Sequence, residues 1–317
     1  MATPLSKPPA TGRMQLSAVV RGKIEKPARV LLYGVEGVGK STFAASAPSP
    51  IFLAAEDGTA QLDVARFPEP KTWSDVLDAV DELTTGQHEF KTLVVDTLDW
   101  LEPLCWASLY TDKITSIEDF GYGKGYTAAL DQWRLFLARL ERMRDARGMG
   151  IIFLAHSWVK PFKNPDGDDF DRYELKLHNK AGGLLKEWCD AVLFTRYETF
   201  TDKDSKTKRV RGVSTGARVM HTNRTAAYDA KNRYDLPDVM PLDFASFAES
   251  VKTAKPADPA QLVARINGLL ESADEATAKR VNAAVAKADG NAAQLARIAD
   301  HLSATVNIAS KTQESAQ

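Results

Sequence analysis

The sequence has little cysteine, no long apolar run and almost no net charge. Only Cys105 and Cys189 occur among 317 residues, and both lie in apolar segments typical of burial, so a disulfide-stapled secreted fold is not expected. No window approaches ~18 uninterrupted apolar residues, which disfavours a membrane-spanning helix. A formal net charge of −1 provides no global basic field, so any nucleic-acid contact has to come from local patches. We therefore expect a cytoplasmic protein without a membrane partner.

A glycine-rich loop follows an apolar segment near the start of the chain. Residues 29–33 read as a buried strand, and residues 34–41 fit the pattern G-x-x-x-x-G-K-[ST]. In this pattern, backbone N–H groups point at phosphates, the lysine reaches the β/γ oxygens and the hydroxyl holds Mg²⁺. The motif predicts binding of ATP or GTP, and the alternative is an ordinary glycine-rich turn. The residues predicted to contact the nucleotide are Gly34, Val35, Glu36, Gly37, Val38, Gly39, Lys40, Ser41 and Thr42.

Short apolar runs alternate with helical stretches through the middle of the chain, a pattern typical of a parallel sheet with crossover helices. An alternating segment at 208–224 predicts antiparallel strands added at one edge. The predicted fold class is therefore α/β, a P-loop NTPase with a mainly parallel sheet flanked by helices, an antiparallel edge extension and a small C-terminal helical region. The predicted organisation is a flexible arm at 1–28, a core at 29–253, a linker at 254–260 and a small helical region with a disordered tail at 261–317.

Polar residues stand at the ends of several predicted strands, where ligands of open α/β sheets bind. Asp96 fits a carboxylate that holds Mg²⁺ together with Ser41, or it caps a turn. Glu56 fits a base that orients the attacking water, or it is an exposed turn carboxylate. His156 fits a sensor of the γ-phosphate, or it is a packed or capping histidine. For Thr97, the sequence leaves open whether the hydroxyl caps a helix or senses phosphate.

The order of these features carries a resemblance to a known family. A phosphate loop, a Glu, a Walker B Asp and a polar sensor, followed by the segment at 180–194, resemble the RecA-type recombinase core. More narrowly, they resemble phage-encoded RecA-like ATP-binding proteins related to RecA, RadA and the eukaryotic recombinase paralogues. The resemblance covers about 29–250 and implies a RecA-like fold. It also implies catalytic roles for Lys40 and Glu56 and a sensor role for His156, where RecA has Gln.

The segment Lys231-Asn232-Arg233-Tyr234 is similar to the Lys-Asn-Arg-Phe motif of RecA-like motors. The resemblance implies that Lys231 and Arg233 reach the nucleotide of a neighbouring subunit, and so implies a homo-oligomer. The glycine that usually follows the aromatic residue is Asp235 here. The alternative is a solvated basic turn.

Two segments on the side of the strand ends are candidate DNA-binding loops. The first, about 111–126, combines glycines with tyrosines and a lysine, which suits base stacking and phosphate contact. The second, about 157–180, interleaves aromatic and basic residues but also carries five acidic residues, which leaves a hairpin, a lid or a metal-associated loop open. The candidate DNA contacts are Tyr122, Lys124, Tyr126, Lys160, Phe162, Lys163 and Arg172.

The leading hypothesis is an ATP-binding, Mg²⁺-dependent ATPase that acts on single-stranded DNA in phage-type recombination or single-strand annealing. Its partners would be single-stranded DNA, copies of itself and a separate single-strand-binding protein, in the cytoplasm of an infected or lysogenic bacterial host. The alternative is a nucleotide-dependent protein-interaction switch or another P-loop NTPase without DNA binding. A guanine-specific GTPase is disfavoured because the Asn-Lys-x-Asp motif is missing, and a small-molecule kinase because no arginine-rich lid stands out.

Overall fold

The computed structural model describes most of the chain between residues 26 and 303. Most of the predicted arm, most of the predicted linker and the predicted tail beyond 303 lie outside the described residues. The boundaries of these regions therefore stay predictions. The described residues are 19, 26–56, 58–165, 167–203, 210–253, 259–270, 273–290, 294–295, 298–299 and 301–303.

Ten strands of the described chain form one sheet in the order β10-β8-β7-β1-β5-β4-β2-β3, with β6 paired to β5 and β9 to β7. The pairs that join β7, β1, β5, β4, β2 and β3 are parallel, whereas β6, β8, β9 and β10 join by antiparallel pairs. The predicted fold class, with its antiparallel edge extension, is confirmed. The strands are β1 (Arg29–Gly34), β2 (Pro50–Ala54), β3 (Ala65–Arg66), β4 (Thr92–Asp96), β5 (Gly150–Phe162), β6 (Phe170–Leu175), β7 (Ala191–Lys203), β8 (Val210–His221), β9 (Lys231–Asn232) and β10 (Val239–Pro241).

Helices follow or connect these strands, and local sequence signals set their ends. Helix α2 begins at a reciprocal capping box between Thr72 and Asp75, which satisfies free N–H groups of its first turn. Helix α4 ends at Gly148, whose φ of 63° suits glycine. The helices are α1 (Lys40–Ala45), α2 (Trp73–Thr85), α3 (Leu98–Ala107), α4 (Lys124–Arg147), α5 (Asn179–Trp188), α6 (Phe244–Thr253), α7 (Pro259–Leu270) and α8 (Glu275–Ala288).

The central strands are apolar throughout because helices cover both faces of the sheet. In β1, Leu31 and Tyr33 pack into one apolar cluster, and Val30 and Leu32 pack into the cluster on the opposite face. Strand β1 lies between β5 and β7, with Gly34 paired in register with His156 on one side. This parallel register brings the carboxyl ends of β1, β4 and β5 to the same edge of the sheet.

Two segments that the sequence predicts as loops contain regular structure. In 111–126, a 3₁₀ helix spans Ile117–Phe120 and α4 already begins at Lys124. In 157–180, β5 continues to Phe162 and pairs with β6 as an antiparallel hairpin. The hairpin extends beyond the two-sided core, so its strands carry polar and charged side chains that composition alone assigns to a loop.

The predicted C-terminal helical region has its own apolar cluster. Leu262 and Ile266 of α7 pack with Ala288 of α8 and with Leu295 and Leu302. This spacing of apolar residues on α7 agrees with an amphipathic helix. Among the described residues, no helix is both long and apolar enough to cross a membrane.

Candidate nucleotide-binding site

The predicted phosphate loop connects β1 to α1, and two of its glycines have a clear structural cause. A Cβ atom on Gly34 would stand 2.0 Å from the carbonyl oxygen of Thr195, so β7 passes too close for any side chain. Gly39 has a φ of 104°, a conformation that strains residues with side chains. The local backbone therefore depends on glycine at both positions.

Lys40 is buried inside the curl of this loop. Its Nζ donates hydrogen bonds to the carbonyl oxygens of Val35 at 3.0 Å and Gly34 at 3.4 Å. Burial lowers the pKa of Lys40, and the negative charge of Asp96 opposes that shift. A phosphate group bound in the loop would supply the negative partner that the two carbonyl groups supply only in part.

Ser41 and Asp96 meet as predicted. The Ser41 hydroxyl donates a 2.7 Å hydrogen bond to Oδ2 of Asp96, which is 5% exposed. Burial raises the pKa of Asp96, although the hydrogen bond from Ser41 and the charge of Lys40 work in the opposite direction. Hydroxyl and carboxylate oxygens are ligands that Mg²⁺ prefers, so the pair fits that ion.

A cavity of about 360 Å³ collects the predicted catalytic residues in one place. We call it the nucleotide cavity. The Glu56 carboxylate and His156 belong to its wall together with Ser41 and Asp96, although these residues are far apart in the sequence. The wall residues with ionisable or hydroxyl side chains include Lys40, Ser41, Glu56, Asp96, Thr97 and His156.

His156 is held by a carboxylate that the sequence reasoning missed. Nδ1 of His156 lies 2.9 Å from Oδ2 of Asp99, and the backbone N–H of His156 donates to Oδ1 of Asp99 at 3.0 Å. Burial raises the pKa of Asp99, but the hydrogen bonds from His156 outweigh burial and hold that pKa below its usual value. A lone acidic residue inside the apolar run Leu98-Asp99-Trp100-Leu101 was the available signal.

Thr97 is the N-cap residue of α3, but its side chain makes no capping hydrogen bond. Its hydroxyl is buried in the wall of the nucleotide cavity and makes no hydrogen bond of full geometric quality, but it lies close enough to Asp99 to help lower the pKa of that carboxyl. A buried hydroxyl whose protein partner is this weak gains from a hydrogen bond to a ligand or water. This observation favours the phosphate-sensing role over the capping role.

A second cavity, of about 370 Å³, lies beside the β5–β6 hairpin. Tyr126 stacks on His178 with ring centroids 3.9 Å apart, and Nζ of Lys160 lies 3.7 Å from the ring centroid of Trp158. The predicted DNA contacts Tyr126 and Lys160 therefore share one cavity. We call it the hairpin groove, and its aromatic and basic wall residues are Trp106, Tyr126, Trp158, Lys160, Lys176 and His178.

Four other predicted DNA contacts lie outside the wall of this groove. Tyr122 is fully exposed and has a positive φ of 49°, and Lys124 begins α4 on the surface. Lys163 is exposed near the hairpin tip and forms an ion pair with Asp169. Phe162 packs on Phe170 within the hairpin, with centroids 5.2 Å apart.

The position of Arg172 disagrees with its prediction as a DNA contact. It is 4% exposed, and its Nη2 donates a 2.7 Å hydrogen bond to Oδ1 of Asp229. Its guanidinium also lies over the ring of Phe162. The sequence suggested a loop cation, but pairing with a carboxylate 57 residues away removes Arg172 from the surface.

The contacts of Lys231 also differ from its predicted role at the nucleotide of a neighbouring subunit. Its Nζ donates hydrogen bonds of 2.8 to 3.0 Å to the carbonyl oxygens of Lys186, Glu187 and Cys189 at the end of α5. These bonds satisfy unpaired carbonyl groups of a helix terminus, so this amine is already in use within its own subunit. Arg233 is about half exposed and pairs with Asp190 at 3.0 Å.

The chain is similar to a protein family and to solved structures. A sequence model of the family described as "AAA domain" matches residues 26–234, which is more than half of the chain. No curated protein matches the sequence. A solved structure of the RadB recombinase matches with 15% identity and a TM-score of 0.38, covering 67% of this chain and 85% of that chain. From the extent of the family match, the chain belongs to the AAA domain family.

Proposed function

We propose that the protein is a Mg²⁺-dependent ATPase whose hydrolysis responds to single-stranded DNA during phage-type recombination or single-strand annealing. The observation that carries this proposal is a hydrogen bond that joins the walls of the two cavities. His156 belongs to the nucleotide cavity, Asp99 belongs to the hairpin groove, and the two side chains are hydrogen bonded at 2.9 Å. A change of nucleotide in the nucleotide cavity can therefore reach the hairpin groove through this single hydrogen bond.

The residues of the nucleotide cavity divide the work of hydrolysis among them. Lys40 stabilises negative charge on the phosphates, and Glu56 orients the attacking water and accepts its proton. The hydroxyl of Thr97 offers a hydrogen bond to that water or to a phosphate oxygen. When bound by Ser41 and Asp96, Mg²⁺ would neutralise charge on the β- and γ-phosphates.

His156 is the residue that would report the state of the γ-phosphate. Asp99 accepts the proton of Nδ1, which leaves Nε2 as the other polar atom of the ring. His156 also lies in β5, the strand that continues into the hairpin and carries Trp158 two residues later. A shift of His156 would therefore move both a groove residue on its own strand and the α3 residue to which it is bonded.

The chemistry of the hairpin groove suits single-stranded nucleic acid. Trp158 and Tyr126 provide aromatic surfaces for unstacked bases, and Lys160 and Lys176 provide positive charge for the backbone. These lysines supply local positive charge in a chain with a net charge of −1, and the carboxylates Asp99 and Glu102 belong to the same wall. Lys163, Tyr122 and Lys124 are exposed and extend the candidate surface beyond the groove.

The proposal includes assembly with further copies and work beside a single-strand-binding protein. Arg233, half exposed, is the remaining candidate for contact with the nucleotide of a neighbouring subunit. Because Lys231 caps α5, any trans role of Lys231 would require it to leave three carbonyl partners.

The second candidate function is a nucleotide-dependent switch that binds a protein rather than DNA. Exposed Trp100, Trp158 and Val159 favour it, because large apolar side chains at a surface also suit protein interfaces. This function uses the same nucleotide cavity and differs only in what the surface recognises.

The test is ATP hydrolysis by the full chain with and without single-stranded DNA, at low and moderate salt. Wild type is compared with Lys40→Ala and with Lys71→Ala, a matched control at an exposed lysine. DNA stimulation that falls with salt and is lost only in Lys40→Ala is the expected result, since phosphate contacts carry that salt dependence. Hydrolysis that needs Lys40 but ignores DNA would favour the protein-directed switch.

A further inference from the structure

A tyrosine and an arginine of the antiparallel extension lie against the phosphate loop. Tyr197 of β7 and Arg218 of β8 are a directly paired cross-strand couple. The Tyr197 hydroxyl donates a 2.9 Å hydrogen bond to the carbonyl oxygen of Gly37, inside the phosphate loop. Cζ of Arg218 lies 5.9 Å from the ring centroid of Tyr197, within cation–π range. Tyr197 therefore joins the loop to the strand pair and supports the arginine beside it.

Arg218 approaches the loop at Gly39, whose φ is 104°. A Cβ atom on Gly39 would stand 2.9 Å from Nη1 of Arg218, so the guanidinium occupies the space next to this glycine. The side chain of Arg218 is exposed, and within the described residues it forms no ion pair with a carboxylate. An arginine held by a ring at an anion-binding loop, without an acidic partner of its own, is suited to bind an anion.

The strand order indicates which phosphates of a bound nucleotide would lie near Arg218. Asp96 at the end of β4 and His156 within β5, opposite the end of β1, stand on one side of β1. Arg218 stands on the other side, on β8 beyond β7. If the γ-phosphate lies beside Asp96 and His156, the phosphates nearer the nucleoside extend toward β7 and β8.

The geometry points to Arg218 as a cation, contributed by the same subunit, that binds the α- and β-phosphates of the nucleotide, with Tyr197 as its positioning residue. The ligand class is a nucleoside diphosphate unit, which ATP and ADP share. The inference rests on the proposed function only in taking the ligand as an adenine nucleotide, and it requires neither DNA nor a partner subunit. Arg218 would thus hold the nucleotide both before and after loss of the γ-phosphate.

Equilibrium binding of fluorescent ATP and ADP analogues to the full chain, without DNA, tests this role. Arg218→Gln is expected to weaken both nucleotides by the same factor, about tenfold, because a charge-assisted hydrogen bond to each is lost. Arg218→Lys keeps the positive charge but loses the planar guanidinium with its several donors. Its affinity should therefore lie between those of wild type and Arg218→Gln. Arg134→Gln, an exposed arginine of α4, is the matched control and should bind both like wild type.

The variant Tyr197→Phe tests how Tyr197 positions Arg218, separately from the contact that Arg218 makes with the phosphates. It removes the hydrogen bond to Gly37 and keeps the ring, so a loss for both nucleotides smaller than that of Arg218→Gln is expected. Unchanged binding in Arg218→Gln, tighter binding, or a loss for ATP alone would each overturn the inference. These outcomes are independent of DNA-stimulated hydrolysis, so a protein whose ATPase ignores DNA would contradict the proposed function without affecting the role of Arg218.

Discussion

The nucleotide cavity and the hairpin groove have similar volumes, about 360 and 370 Å³, but their walls differ in kind. In the nucleotide cavity, Lys40, Asp96 and His156 are each less than a tenth exposed and are hydrogen bonded to fixed partners. In the groove, Trp158 is 38% exposed, and Lys160 and Lys176 are half-buried. The wall of the nucleotide cavity is preorganised for a small charged ligand. The wall of the hairpin groove presents surfaces that a larger ligand can cover.

This difference indicates where each region obtains its selectivity. Buried, preorganised charges act strongly on a ligand because little reorganisation is needed when it binds. Partly exposed rings and lysines act weakly one by one and tolerate many sequences, which suits a polymer that contacts several of them together. Substitutions in the two regions should therefore affect different measurements.

The largest effect is expected from Asp96→Asn. It removes the charge of the carboxylate paired with Ser41, and basal hydrolysis should fall by about 10²–10³, the range typical of a lost electrostatic contact in an active site. Steady-state hydrolysis at saturating ATP measures this, with Asp131→Asn on the surface of α4 as the control. Equal activity of the two variants would remove Asp96 from the catalytic residues.

A smaller effect, confined to DNA, is expected from Trp158→Ala. Loss of one stacking surface should weaken single-stranded DNA binding by about tenfold and leave basal hydrolysis unchanged. The control is Trp100→Ala, an exposed tryptophan of α3 outside the groove wall. Fluorescence anisotropy with a labelled oligonucleotide gives the affinity. If Trp100→Ala weakens binding as much as Trp158→Ala, the groove is not the DNA site.

The smallest effect is expected at Glu102, a buried carboxylate in the wall of the hairpin groove. Glu102 accepts the backbone N–H of His178, and burial raises the pKa of Glu102 to about 7. Between the ordinary pKa of 4.5 and about 7, the folded protein binds more protons than the unfolded chain, so the free energy of unfolding falls as pH rises. Glu102→Gln lacks this titration and should gain at least about 1 kcal/mol relative to wild type from pH 4.5 to 8.

Urea unfolding at several pH values checks that shift. The exposed Glu89→Gln should follow wild type at every pH. A constant difference between Glu102→Gln and wild type would show that Glu102 does not titrate in this range.

The sequence could bring Glu56, Asp96 and His156 into one cavity because these residues follow the apolar runs of strands, while their catalytic roles stay predictions. Glu56, Asp96 and His156 each end an apolar run, and parallel strands bring such ends to one edge. Asp99 was missed because its role depends on α3 running back past β5. Arg218 was missed because its pairing with Tyr197 is a long-range register that no local pattern contains.

The DNA surface was harder to predict because aromatic and basic residues serve both exposed and buried sites. Lys160 and Arg172 face each other across the same hairpin, but Lys160 lies on a tryptophan in the groove and Arg172 is buried against Asp229. Only the position of Asp229, far along the chain, decides between these two environments. Composition could therefore locate the hairpin as a candidate surface without indicating which of its cations is accessible.

The outermost strands of the sheet, two residues in β3 and three in β10, have a consequence for self-association. Short outer strands offer few unpaired backbone groups onto which another chain could add a strand. The two ends of the main strand order, β3 and β10, are therefore poor templates for a strand from a second chain.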